Sequence, residues 1–526
     1  MEPSESMHLS PLAQLLTESL HQDKVENHER KISVNPVVSK FATWYEKVRN
    51  AMEYREDEVV LRAAIERILK RRLLLGGNAE TTAEPLVREL IWAHYLPDSS
   101  VPVSIVNQVE QLIERYLLLR LLILKKHRMS EMEINEWIYQ LMSANIEDIV
   151  NPHHEKEMVS NFMFQILKDQ VMIQDDNQET KDAQVFIAVR KAFARDDIAF
   201  LRYNLFLQYF GELTEDNLEH IATGFPKGHQ EIERQLHYPR KDRVYAYVRK
   251  RTAAFLILED IFTQYKDDME SILQDKEVLA RRVFSACDKR YKSIGSKVRR
   301  AVVRSVFFIL LTKLFFAIFI EGTYERLFYG RILWMSIALN TGIPPLLMLV
   351  VSAFIRTPDQ HNSKRILSYI AMLLFEDSPQ LGSQLIIRKR PEKVEPVLAS
   401  IFMGLWFLAF IISFGGMVSL LTRLHFTFIS QAVFIFFLTL VSFLAYRISL
   451  TAHIYTVGDK QGFVTPIVDF LFMPVVRVGR KLAQSLAQVN FLLFIVDFFI
   501  ETPFKVFFAF LERWFYFLHS KREEIE

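Results

Sequence analysis

The chain has 526 residues, 50% of them hydrophobic, with 43 phenylalanines, a formal charge of +2 and one cysteine, Cys287. That balance gives no bulk electrostatic basis for nucleic-acid binding. One cysteine excludes an intrachain disulfide and Cys-rich zinc sites. The phenylalanine and apolar content is too high for an average soluble domain, and it is uneven: residues 1–300 read as charged helices, whereas long apolar runs begin near Val302.

The opening "MEPSESMHLSPLAQLL" has acids where a signal peptide needs a basic region and no apolar core after them, so the chain is expected to start in the cytosol. Residues 1–37 read as an arm with a short helix, Ser10 and Pro11 standing at its N-cap and first position. Residues 38–280 read as a cytosolic α-helical domain. Val38, Phe41, Trp44, Val48 and Met52 share one helical face, and Lys70, Arg71 and Arg72 close a helix before Gly76. Pro97 stops the next helix. Ser104 is expected to cap another, Ser130 and Glu133 to form a capping box, and Asn151–Pro152 to open a further helix. The polar stretch 174–184 is expected to be an exposed loop or a subdomain joint. No fixed-period repeat supports a solenoid.

Candidate chemistry in this half is thin. His153 and Glu157 have a spacing that can face one metal ion, with His154 beside them, but a zinc site needs three or four ligands and no partner cluster follows. They read as helix-start surface. His220, His229 and His237 are expected to flank a loop holding Gly224, Pro226 and Gly228. The chain carries no Walker-A loop, dinucleotide glycine fingerprint, H-E-x-x-H, G-x-S-x-G or kinase signature.

Residues 281–304 form a basic juxtamembrane collar. Arg281, Arg282, Lys289, Arg290, Lys292, Lys297, Arg299, Arg300 and Arg304 stand there against one acid, Asp288. Such a cluster before an apolar run keeps its N-terminal side cytosolic and attracts anionic headgroups. A transmembrane bundle is expected over 305–450, with four spans near 302–320, 332–355, 397–421 and 428–450. Arg304 and Lys313 fall on opposed faces, so the first run reads as spanning and not as lying in the interface. The second holds Pro344 and Pro345, where a kink or break is expected. In the third, Ser400 and Gly404 have the spacing for close helix contact. Seven basic residues in the 356–396 connection, against two Arg balanced by two Glu in 321–331, put both termini on the cytosolic side. Tyr324, Phe328, Tyr329 and Trp334 would make an outer aromatic belt.

Residues 451–526 read as a cytosolic-side re-entrant or interfacial tail. Phe504, Phe507, Phe508, Leu511, Trp514, Phe515 and Leu518 form an aromatic stripe suited to the leaflet, and the apolar segment 365–387 is expected to hug the membrane similarly. Lys313 near mid-span needs a partner: Asp469, Asp497, Asn340 or a carbonyl freed by Pro344–Pro345. The expected fold class is therefore all-α, a multi-helix cytosolic domain followed by a polytopic helical membrane domain and amphipathic C-terminal helices. The expected function is a non-enzymatic membrane scaffold, adaptor or assembly factor, with the bilayer and a protein as partners and no cofactor, metal or nucleic acid. A small transporter or channel using Lys313 and the proline-bearing second span is the alternative. A membrane-surface lipid-modifying enzyme using Glu376, Asp377 or Asp469 is the third, although no acid and base pair is recognisable there.

Overall fold

Among the described residues helices dominate, with two four-residue strands beside them. The computed structural model describes residues 8–20, 29, 31–34, 39, 43, 59–74, 76–174, 176–330, 334–353, 355, 357–388, 396–457, 465–488 and positions 507, 510, 514 and 517. They fold as two units. One comprises 11–249 with 382–387 and 490–526; the other comprises 1–10, 250–381 and 388–489. The boundary at Arg249 falls some fifty residues before the composition break.

The N-terminal unit contains α1 (Pro11–Leu20), α2 (Val60–Leu74), α3 (Ala79–Trp92), α4 (Val103–Lys126), α5 (Glu131–Val150), α6 (His154–Lys168), β1 (Val171–Gln174), α7 (Gln178–Val189), α8 (Ile198–Phe210), α9 (Leu218–Leu236) and α10 (Lys241–Arg249). Its core is built from one face of each long helix: Ile65 and Ile68, Leu86 and Leu90, Tyr116 and Leu119, Ile138 and Leu141, Phe206, and Phe225. Burying such faces is what stabilises helices of this length in water. Local chemistry sets the ends. Asn78 and Thr81 form a reciprocal capping box for α3, and Asp197 accepts from Ala199 and Phe200 N–H at the start of α8.

Several expectations are corrected here. Ser104 lies inside α4, whose N-cap is Pro102, and Ser130 caps α5 by position without a side-chain bond. Asn151 closes α5, and His153 precedes α6. The polar stretch 174–184 is strand and helix: Gln174 ends β1, and Asn177 caps α7 through Thr180 N–H at 2.9 Å. The loop expected around Pro226 is continuous helix. Pro226 cannot bond the Ala222 carbonyl one turn back, and the His127 ring nitrogen, 2.9 Å away, takes that acceptor. The two glycines serve packing instead: a Cβ on Gly228 would come within 2.3 Å of the Phe210 ring, and one on Gly224 within 3.3 Å.

The second unit contains α11 (Thr252–Gln264), α12 (Met269–Gln274), α13 (Lys276–Phe316), α14 (Thr323–Tyr329), α15 (Trp334–Ala353), α16 (Gln360–Phe375), α17 (Pro396–Phe410), α18 (Gly416–Arg423), α19 (Phe428–Ala452) and α20 (Thr465–Gln488). β2 (Leu385–Arg388) pairs with β1 through Leu385 N–H and the Gln170 carbonyl. π turns join α13 to α14 over Ala317–Gly322 and α17 to α18 over Ile411–Gly415. Among the described residues three helical runs are long and apolar enough to cross a membrane: 276–328, 400–423 and 428–452. The apolar part of α15, Ile337–Ala353, is shorter, and α15 passes through Pro344 and Pro345 without interruption. The segment expected to hug a membrane turns its apolar face inward, because Ile366, Ile370, Leu373 and Leu374 of α16 are buried. Among the described residues, a Cβ on Gly404 would meet nothing within 4 Å.

Candidate functional site

The described residue of most unusual chemistry is Lys313, wholly buried near the end of an apolar helix. Its partner is Glu321. Lys313 Nζ donates to Glu321 Oε1 at 3.0 Å, and neither side chain has any exposed surface. Eight residues of regular α-helix would place the two about 80° apart around the axis. The π turn at 317–322 inserts about one extra residue, rotating Glu321 back toward the face of Lys313. Local backbone geometry thus creates the pair.

Two other helices complete it. Asn340 Nδ2 of α15 donates to Glu321 Oε2 at 2.6 Å and to the Ser430 carbonyl at 3.1 Å, while Ser430 Oγ of α19 donates to Glu321 Oε2 at 3.2 Å. The Lys313 ammonium also stands 4.8 Å from the Phe437 ring centroid, a cation–π distance. One carboxylate therefore accepts from three helical segments, and the charge it balances is enclosed by an aromatic ring. Glu325, one turn beyond, is buried as well. The arrangement ties helices together through the two oxygens of the Glu321 carboxylate.

Of the predicted partners, Asn340 joins the cluster through Glu321. Pro344 and Pro345 are buried in α15. Asp469 lies in α20 with its side chain outside the described residues, as Asp497 is altogether. In the sequence Glu321 counts as one of the two acids of the 321–331 connection and not as a partner of Lys313. The i, i+8 spacing is no helical-face signal, and only the need of a buried lysine for an acid could have pointed to it.

The nine collar residues divide by surroundings. Arg290 forms a bidentate pair with Asp260, Lys289 donates to Gln264 at 3.0 Å, Lys292 pairs with Asp288 at 2.6 Å, and Arg282 covers the Tyr265 ring at 4.1 Å. Arg281, Lys297, Arg299, Arg300 and Arg304 are exposed on α13. Beside the collar, Asn362 Nδ2 donates to Tyr291 Oη and to the Tyr455 carbonyl, both at 2.7 Å, and Asn362 Oδ1 accepts from Val457 N–H at 2.8 Å. Burial raises the Cys287 thiol in the same region.

In the N-terminal unit the sequence reading missed a second buried polar cluster. Arg62 bonds Glu66 and Asp197, and Arg190 bonds Glu157 and Asp196 at 2.5 and 2.6 Å. Burial pushes the Glu147 carboxyl up to about 8 against the opposing pull of Arg62. These residues come from α2, α5, α6 and the segment between α7 and α8, so no local motif announces them. Glu157 is thereby engaged by Arg190, and His153 lies 3.1 Å from Asn151. Among the described residues no three metal-ligating side chains cluster. His229 packs on Trp137 at 4.6 Å. Glu376 and Asp377 sit in the turn after α16. Phe507 and Trp514 are exposed, while Phe504, Phe508, Leu511, Phe515 and Leu518 lie outside the described residues. Comparison with family models, curated proteins and solved structures finds no match for the chain.

Proposed function

We propose that the protein is a multi-pass integral membrane scaffold or adaptor whose N-terminal helical unit receives a protein partner on the cytosolic side. The observation carrying this reading is the enclosed Lys313–Glu321 pair. A cation at span depth is a functional candidate by default. Here it is neutralised by Glu321 of its own helical run, and that carboxylate is hydrogen-bonded by neighbouring helices, as expected of a fastening within an anchor and not of a group that hands on an ion.

Four spans with both termini cytosolic remain the proposed topology, counting α15 as the second. Residues 382–387 belong to the N-terminal unit, which supports placing the 356–396 connection on that unit's side. Asn362, in the same connection, holds the residues just after α19, which supports an even number of spans between them. The collar is assigned a divided role. Arg281 lies 23 residues, or about 35 Å of helix, before Arg304, whereas Lys297 to Arg304 fall within roughly a Debye length of one another. The latter four are proposed to face anionic headgroups, and Arg282, Lys289 and Arg290 to hold α13 within its own unit.

The test uses full-length protein from native membranes in mild detergent and in sealed vesicles. A stoichiometric protein partner, with ion flux equal to that of empty vesicles, is the expected result. Flux that Lys313→Met abolishes would establish the transporter reading instead, and retention of lipid without protein would remove the adaptor.

A further inference from the structure

Helix α20 crosses α19 backbone to backbone. A Cβ built on Gly479 would lie 2.0 Å from the Thr439 carbonyl oxygen, and Ala483 follows at the four-residue spacing typical of close contacts between membrane helices. Thr439 is 11 residues after Phe428 and 13 before Ala452, so it stands about 16 Å and 20 Å from the two ends of α19. Helix α20 is also tied to the third apolar run: Ser413 Oγ donates to the Leu471 carbonyl at 2.7 Å, and Trp406 and Phe470 are in edge contact at 6.3 Å.

The opposite face of α20 carries Phe470, Met473, Arg477, Arg480 and Lys481 at spacings of three and four, all exposed. Apolar side chains occupy its first two turns and three cations the next. Arg480 is next to Gly479, the residue that touches Thr439, Lys481 is two residues from it, and the Arg477 guanidinium lies 5.5 Å from the Trp406 ring. Among the described residues neither Arg480 nor Lys481 has an acidic partner. If α19 is a span, these charges lie near its middle, where bare cations are strongly disfavoured and require water or an anion.

We propose that Arg477, Arg480 and Lys481 bind the phosphate of an anionic phospholipid within the bundle, its acyl chains lying against Phe470 and Met473. The inference rests on the reading of α19 as a span. Arginine forks suit phosphate oxygens, and the order of the face, apolar then cationic, matches a lipid's tails and head. A free anion would satisfy the cations but not the apolar stretch, which is why the lipid is chosen.

The probe is a phosphatidylglycerol with a photoreactive acyl chain, added to delipidated full-length protein. Crosslinks are expected within 470–481, competed by unlabelled phosphatidylglycerol and not by inorganic phosphate. Replacing all three cations, Arg477→Gln, Arg480→Gln and Lys481→Gln, should weaken labelling about fivefold per charge, on the order of a hundredfold together. The charge-keeping pair Arg477→Lys and Arg480→Lys should label within about fivefold of the parent, which separates charge from folding. Unchanged labelling of the Gln variant, or equal competition by inorganic phosphate, would overturn the proposal. A separate arm tests the span with Ile411→Cys and Leu440→Cys in a Cys287→Ser background. Reaction of both with a membrane-impermeant maleimide in sealed vesicles would sink the span reading, whereas protected cysteines with no crosslink would sink the lipid site alone.

Discussion

At the scale of single residues, the Lys313–Glu321 pair illustrates why a buried charge is judged by what surrounds it. Removing one partner leaves an uncompensated charge, typically costing about 3–5 kcal/mol, whereas removing both is often nearly neutral. Lys313→Met and Glu321→Gln should therefore each lower the melting temperature of the full-length protein in detergent, and the double variant should recover most of the loss. Additive losses would mean that the two do not act as a pair. Glu147 supplies a pH dependence. Its folded-state pKa, about 8, lies above its ordinary value of 4.5, so the contribution is fully present below about 4.5 and is lost as pH rises through 8. Hydrogen exchange of α5 amides, corrected for intrinsic rate, should show weaker protection at pH 9 than at pH 6, and Glu147→Gln should flatten the difference. Lys313 was visible as an anomaly in the sequence. Glu147 was not, because its neighbours are distant along the chain.

At the scale of elements, helix identity was widely legible and helix interruption was not. The dipole pattern of α2, with Arg71 and Arg72 in its last turn, is local and present as expected. Proline and glycine misled at 224–228 because a side chain from elsewhere, His127, takes the freed carbonyl and because Phe210 needs the missing Cβ atoms. Asn or Gln in place of His127 can still donate to Ala222, whereas His127→Leu should destabilise α9 by about 1–3 kcal/mol, the cost of an unsatisfied buried acceptor. Thermal unfolding of the three variants checks this. The α19–α20 crossing follows the same logic at closer range: Gly479→Val cannot keep the backbone contact with Thr439 and should separate the helices. A cysteine pair across the crossing that crosslinks in the parent and equally in the Val variant would contradict it.

At the scale of the whole molecule, topology is the prediction to check. With Cys287→Ser as background, Ser378→Cys and Thr456→Cys should be labelled from the side that exposes the N-terminal unit, and Phe328→Cys and Leu424→Cys from the other. Labelling of Ser378→Cys and Thr456→Cys from opposite sides would break the four-span scheme. Cys287, buried and with its thiol pKa raised, should contribute little background even when retained.

The sequence alone determined the class of each half, since apolar run length and charge bias are one-dimensional quantities that need no fold to be read. It also marked Lys313 as a residue in need of a partner. Tertiary structure decided which partner it has, through a π turn that shifts Glu321 by about a quarter turn and through Asn340 and Ser430 arriving from other helices. It also decided that the 382–387 segment joins the N-terminal unit, that Arg282, Lys289 and Arg290 of the basic collar meet side chains of other elements, and that α20 meets α19 at its middle. Each of these depends on pairings between residues far apart along the chain, and no periodicity within one element encodes them.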